Sequence, residues 1–297
     1  YLRNISKGIL MNNPLAELED LNPEEVFNNA VITAVKLPGA RINREEFLRA
    51  SFKTKVDEKT LQKIIDTSPE KAGVSIRVID EASEGSIKFE TAKVTALSAA
   101  AGAPGGLAVA ATIPADLAQY VVHAMRISQK LAYLYGWPDF FDENTSEIDE
   151  ATKNMLILFM GVMFGAGVAN EAIGKIAEQM AKQVAKKLPQ KALTKGVVYP
   201  VVKKVAAFIG VKMTKDVFAK GVSKIVPLIG AAVSGGITLG TYYPMAKKLE
   251  KYLQTTPLAD STIYSSSSIE IDPEFIDVDD KEPDAVIEQK GQLNEDI

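Results

Sequence analysis

Asp116, Gln119, His123, Arg126 and Lys130 follow one another at intervals of 3, 4, 3 and 4 residues, the spacing that aligns side chains along one face of a helix. Leu117, Val121, Ala124, Leu131 and Leu134 mark the apolar side of the same segment, read as Pro114 to Tyr135. As a site, the stripe brings Asp116 and His123 together on a ligand while Arg126 and Lys130 bind an anionic headgroup, chemistry that suits a lipid-directed hydrolase. As structure, Asp116 complements the helix N-terminus behind Pro114 and the remaining residues face water or pair with one another. No nucleophile with an oriented base is legible around it, so no catalytic residue is assigned.

Elsewhere the chain mainly excludes chemistry. Its 297 residues contain no Cys and one His, which removes disulfides, thiolate metal sites, cysteine nucleophiles and any multi-histidine metal centre. Gly174-Lys175 is followed by Ile176, and Ala169 stands where a phosphate-cradling loop needs its first Gly. Dinucleotide-binding, zincin, nucleophile-elbow and calcium-loop patterns are missing, and the acidic run Asp272 to Asp284 lacks the spacing and turn Gly of a dedicated cation site. No cofactor and no metal is expected.

The elements that would position such residues read as helices. Asn43 precedes Glu46 by three residues, a capping pattern, and Ser68-Pro69 reads as a second helix start. Leu37-Pro38-Gly39 breaks the segment that begins near Glu24, while Phe47, Leu48 and Phe52, then Leu61, Ile64 and Ile65, supply apolar faces. Val74 to Asp80 fits a short strand as well as a helix. Ser146-Glu147-Ile148-Asp149 reads as a capping box for a helix with Glu150 at its start and Lys182, Lys186 and Lys187 before the stop at Leu188-Pro189, with a break near Gly165 to Gly167 or Gly174. Tyr133, Tyr135, Trp137, Phe140 and Phe141 form either a core corner or a membrane-interface group.

Three stretches carry no charge: Val94 to Ala115, Asn154 to Asn170 and Ile225 to Ala246. They approach the ~20 residues that cross a bilayer, yet small residues and prolines fill all but Met155 to Phe164. They read as buried Gly/Ala-rich helices, with Gly161 and Gly165, and Gly236 and Gly240, as small-residue faces for close helix contact.

Charge is unevenly spread. From Pro257 to Ile297 twelve acidic residues face only Lys281 and Lys290, whereas from Lys153 to Lys251 sixteen Lys and no Arg face four acids. A basic body implies an anionic partner. Lys set among Ala, Val, Ile and Gly, without Arg forks or interleaved aromatics, points away from nucleic acid and toward lipid headgroups, reached by snorkelling Lys such as Lys186 and Lys187. Simple solvation of a helical surface is the alternative.

Thr91-Ala-Lys-Val-Thr-Ala96 followed by a Gly/Ala-rich run, then Ile113-Pro-Ala-Asp-Leu117, an amphipathic helix and Leu134-Tyr-Gly136, resembles the EcsC family of bacterial proteins. Ile225 to Gly236, with Tyr242 and Lys247-Lys248 beyond it, is similar to that family's C-terminal part. The resemblance covers about residues 70 to 253. It implies a bacterial origin and an association with membrane or export processes, marks Asp116 and Gly136 as motif positions, and supplies no catalytic residue.

The sequence thus predicts an all-α protein, a helical bundle with Gly/Ala-rich buried helices. An N-terminal helical subdomain is expected over 1–90, the main body over 91–256 and a disordered acidic tail over 257–297. Leu2 to Met11 lacks a signal-peptide core, so a cytoplasmic, peripherally membrane-associated protein is expected. The leading function is non-enzymatic association with anionic lipid through Lys-rich amphipathic helices, with insertion as its stronger form. A soluble module of an export or transport system with a protein partner is second, and a lipid-directed hydrolase third.

Overall fold

A computed structural model of the protein describes residues 22–102, 109–141, 148–183, 187–223 and 229–260. Among the described residues the fold is all-α, with no strand. The helices are α1 (Pro23–Lys36), α2 (Arg44–Phe52), α3 (Glu58–Asp66), α4 (Ile76–Gly102), α5 (Val109–Leu134), α6 (Glu150–Phe164), α7 (Gly167–Gln183), α8 (Gln190–Thr194), α9 (Tyr199–Ser223) and α10 (Ile229–Leu253).

Side-chain caps start several of these helices by satisfying backbone N–H groups that have no partner inside the helix. Asn22 accepts from Glu24 N at 3.0 Å, Asn43 from Glu46 N at 2.9 Å and Asp57 from Thr60 N at 3.0 Å. The cap of α6 is Asp149, which accepts from Thr152 N at 2.6 Å, rather than Ser146, which lies outside the described residues. Ser68-Pro69 opens only a turn, closed by Lys71 N donating to Ser68 Oγ and Ala72 N to Ser68 O. At Val74 to Asp80 the helix prevails, because Val78 and Ile79 already donate to the Ser75 carbonyl and lead into α4. Pro114 does not begin its helix, since α5 starts at Val109.

The expected break at Gly165 is present. Gly165 adopts φ +82°, a left-handed cap, and Ala166 N donates back to Gly161 O at 2.8 Å, so α7 leaves in a new direction. Residue 90, by contrast, is no boundary. α4 runs through it without interruption, and Phe27, Leu48, Phe52 and Ile64 of α1–α3 join the same hydrophobic core as the body.

Hydrogen-bonded pairs fix the register. Asp80 meets Tyr135 while Glu90 meets Arg126, so α4 and α5 run antiparallel; Asp80 meets Gln254 while Glu84 meets Tyr243, so α4 and α10 do too. α6 is the central strut, buried on every side from Met155 to Phe164. Its Asn154 Nδ2 donates to Leu193 O at 3.0 Å, and Gly161 lies against Val205 of α9. Among the described residues no helix is long and apolar enough to cross a membrane.

The aromatic group packs as a core corner. Trp137 and Phe159 meet edge to face at 5.1 Å, Tyr133 lies 5.1 Å from Phe140, and all four rings are buried. Gly136 makes the corner by adopting φ +88° and letting the Leu258 backbone press where a side chain would otherwise stand. Leu258 and Ala259 are therefore buried parts of the core, which moves the start of the acidic tail beyond them. Residues 261–297, and with them the expected disorder, lie outside the described residues.

Of the four glycines read as close packing positions, Gly161 fills that role, because an added Cβ would stand 2.5 Å from Val205 Cγ1 and 2.8 Å from Ala169 Cβ. Gly165 serves as the cap, Gly240 is exposed with open space around it, and the packing around Gly236 lies outside the described residues. Gly161→Ala is expected to lower stability by about 1–3 kcal/mol through overpacking against a stiff Val, whereas Gly240→Ala raises it by about 0.4–1 kcal/mol. Urea denaturation of the two variants checks the contrast.

Candidate functional site

The part of the α5 stripe formed by His123, Arg126 and Lys130 is directed neither at water nor at itself. It closes on Glu90 of α4, a carboxylate with no exposed surface. His123 Nδ1 stands 2.7 Å from Glu90 Oε2, Lys130 Nζ 2.7 Å from Oε1, and Arg126 Nε donates to both oxygens at 3.1 and 3.3 Å. Successive steps of three and four residues carry the three partners over two turns of α5, so they converge on one point of the antiparallel neighbour. Gln119 is exposed and stands apart from the cluster, and the side chain of Asp116 lies outside the described residues.

Burial alone would raise the Glu90 pKa by penalising its charge. The His123 hydrogen bond, then the charges of Lys130 and Arg126, outweigh that penalty and bring it from an ordinary 4.5 down to about 2. An ionised Glu90 requires that His123 Nδ1 carry the proton it donates. Lys130 shows the opposite balance: burial pulls its pKa down further than Glu90 raises it, with repulsion from Arg126 and Lys93 adding to the fall.

Two formal cations surround one anion, and the surplus is absorbed by neutral groups. Lys130 Nζ lies 5.0 Å from the centre of the Phe89 ring and 5.7 Å from that of Phe47, where ring quadrupoles replace part of its lost water. Arg126 Nη1 donates to the carbonyl of Gly39, whose left-handed turn follows α1. One turn on, Gln129 donates to Ala40 O and accepts from Ile42 N, both at 2.8 Å, and Tyr133 donates to Ile42 O. From the other side Tyr242 of α10 donates to the His123 carbonyl at 2.6 Å. The cluster therefore ties α4, α5, α10 and the α1–α2 loop together.

A second polar seam continues between α4 and α10. Ser83 donates to Glu250 Oε1 at 2.6 Å, Lys247 bridges Glu250 and Glu84, and Tyr243 donates to Glu84 at 2.8 Å. Arg44 makes a third tie, donating to Ile65 O and Thr67 O at 2.7 Å each and so closing the C-terminal end of α3.

Glu90 itself has little capacity for acid–base work. A carboxylate held near pKa 2 is a poor proton acceptor or donor at neutral pH. Among the described residues no hydroxyl is bonded to the His123 ring, and no group of three His, Asp or Glu is placed to hold a metal ion. Arg126 and Lys130 are both bonded to Glu90.

Of the two remaining cation candidates, Lys186 lies outside the described residues and Lys187 is exposed before α8. Lys187 opens a run of exposed lysines along α8 and α9. Lys187, Lys191, Lys195, Lys203, Lys204 and Lys212 are all exposed, and no Asp or Glu occurs between Glu178 and Asp216. On α9 the buried side is Val202, Val205, Ala206 and Ile209, and the outer side carries Lys203, Lys204, Phe208, Val211 and Lys212. Lys203 stacks over Tyr199 at 4.8 Å and Lys212 over Phe208 at 4.7 Å. Val197, Phe208 and Val211 keep 46, 37 and 45% of their surface exposed, so the face is apolar as well as basic.

Glu90→Gln removes the counter-charge of Lys130 and Arg126 and is expected to cost about 3–5 kcal/mol at pH 7. Because the folded pKa lies below the unfolded one, the ionic part of Glu90's stabilisation is complete above about pH 4.5 and drains away as the pH falls toward 2. Denaturation of both chains across that window should show the gap narrowing with acid. No family model, curated protein or solved structure matches this chain.

Proposed function

We propose that this is a non-enzymatic protein that docks on anionic membrane surfaces through the α8–α9 face. The observation that carries the reading is the exposed set Lys187, Lys191, Lys195, Lys203, Lys204 and Lys212, uninterrupted by any acid and interleaved with exposed Val197, Phe208 and Val211. Long Lys stems lie along apolar surface while their ammonium groups reach phosphates, and the apolar side chains enter the headgroup boundary. Each Lys near an anionic leaflet contributes about 1 kcal/mol, and the attraction decays within a Debye length, so binding of this kind is salt-sensitive.

The folded body supplies the rigidity such a face requires. Gly161 lets α9 approach α6 closely, and Lys212 Nζ donates to Phe164 O at 2.7 Å, which fastens the far end of the face. Peripheral docking needs no spanning helix, and the resemblance to EcsC proteins points to the same setting.

Sedimentation with liposomes tests it. The protein should pellet with phosphatidylserine-containing vesicles at low salt, release at high salt, and ignore neutral phosphatidylcholine vesicles. Replacing Lys203 and Lys204 by Ala should weaken binding roughly tenfold or more while leaving the fold intact by circular dichroism. Equal binding by the double variant, or no binding by the parent chain, would contradict the proposal.

A further inference from the structure

The chain contains a segment whose chemistry mirrors the α8–α9 face. Between Glu270 and Asp284 eight acidic residues stand against Lys281 alone, and Ile271, Phe275, Ile276 and Val278 are set among them. The face offers the reverse pairing: ammonium groups of Lys191, Lys195, Lys203, Lys204 and Lys212 around exposed Val197, Phe208 and Val211. Acid and apolar side chains alternate on one partner where base and apolar side chains alternate on the other.

The exit point of the chain makes the pairing reachable. Leu258 is buried against Gly136, so the described chain ends at Asp260 beside the aromatic corner. Thr152 Oγ1 of α6 donates to the Phe140 carbonyl of that corner at 2.5 Å, and Asn154, less than a turn further on, holds the Leu193 carbonyl of α8. The exit and the start of the basic face thus share one end of the molecule. Residues 261 to 269 can span roughly 30 Å when extended, more than these few contacts require.

We infer that the acidic segment 270–284 docks in cis on the α8–α9 face and competes there with anionic membrane. The inference rests on the docking face proposed above and adds its regulation. A linker of this length holds the segment at an effective concentration on the order of 1 mM, so a contact with a bimolecular Kd of about 0.1 mM covers the face most of the time. Such a strap is displaced by a surface of high anionic charge density and is ignored by neutral lipid. It also keeps an apolar, basic face from adhering to other polyanions in solution.

Two measurements on the full chain separate this inference from the one it rests on. The chain has no Cys, so Ser268→Cys gives a single attachment site for a nitroxide label. Without lipid, the label should selectively broaden the backbone amide signals of residues 191–212, and the effect should vanish at high salt or when Lys203 and Lys204 are changed to Glu. Broadening that is absent, or concentrated at Phe89 and Leu97 of α4, overturns the inference whatever the protein does with membranes.

The second measurement is vesicle sedimentation of a chain in which Glu270, Asp272, Glu274, Asp277, Asp279 and Asp280 are replaced by their amides. That chain should bind phosphatidylserine-containing vesicles about tenfold more tightly than the parent. Unchanged affinity overturns the competition. A label contact at residues 191–212 with no vesicle binding by either chain refutes the membrane reading and leaves the docking itself standing.

Discussion

A carboxylate with no exposed surface is costly unless its charge is answered from within, and Glu90 sets that condition on the whole body. Its partners must approach from α5 at the register that brings His123, Arg126 and Lys130 to one point. That register in turn fixes where Gln129 and Tyr133 meet the α1–α2 loop and where Tyr242 of α10 reaches the His123 carbonyl. A slip of α5 by one turn would leave an uncompensated charge in the interior. The ionic cluster thus acts on specificity of packing as much as on stability, while apolar burial supplies the bulk of the free energy.

The outer surface follows from this internal arrangement. Arg126 and Lys130 are bonded to Glu90, while Lys203 and Lys204 of α9 are exposed. Gly161 and the bond from Lys212 to Phe164 O hold that face against α6, itself anchored to the aromatic corner through Phe159 and Thr152. The same corner, through Gly136, seats Leu258 and fixes where the acidic segment leaves the body. Internal charge pairing and external charge display are two consequences of one packing scheme.

Local signals in the sequence were strong where a backbone requirement decides the structure. Asn43 caps α2, Leu37-Pro38-Gly39 ends α1, Gly165 breaks α6 from α7, and the aromatic group forms a corner. Signals failed where tertiary contacts choose between near-equal local options: Val74 to Asp80 alternates like a strand yet joins α4, and Ser68-Pro69 gives a turn rather than a helix. Glu90 was invisible because it lies 33 positions from His123 and only the antiparallel pairing of α4 with α5 unites them. One trace of it was present, since α5 from Leu117 to Leu134 contains Arg126, Lys130 and His123 but no acid, so its cations require a partner from another element. The charge asymmetry was legible from counts alone, whereas its concentration on one side of α9 required the burial pattern.

Contact between α8–α9 and anionic membrane would be read in the environment of single side chains on that surface. In this cysteine-free chain, Val211→Cys and Leu97→Cys carry an environment-sensitive fluorophore to exposed positions on α9 and α4, respectively. On addition of phosphatidylserine-containing vesicles, position 211 should show a blue shift and protection from aqueous quencher, with position 97 unchanged. A shift at position 97 with none at 211, or none at either, would contradict that contact.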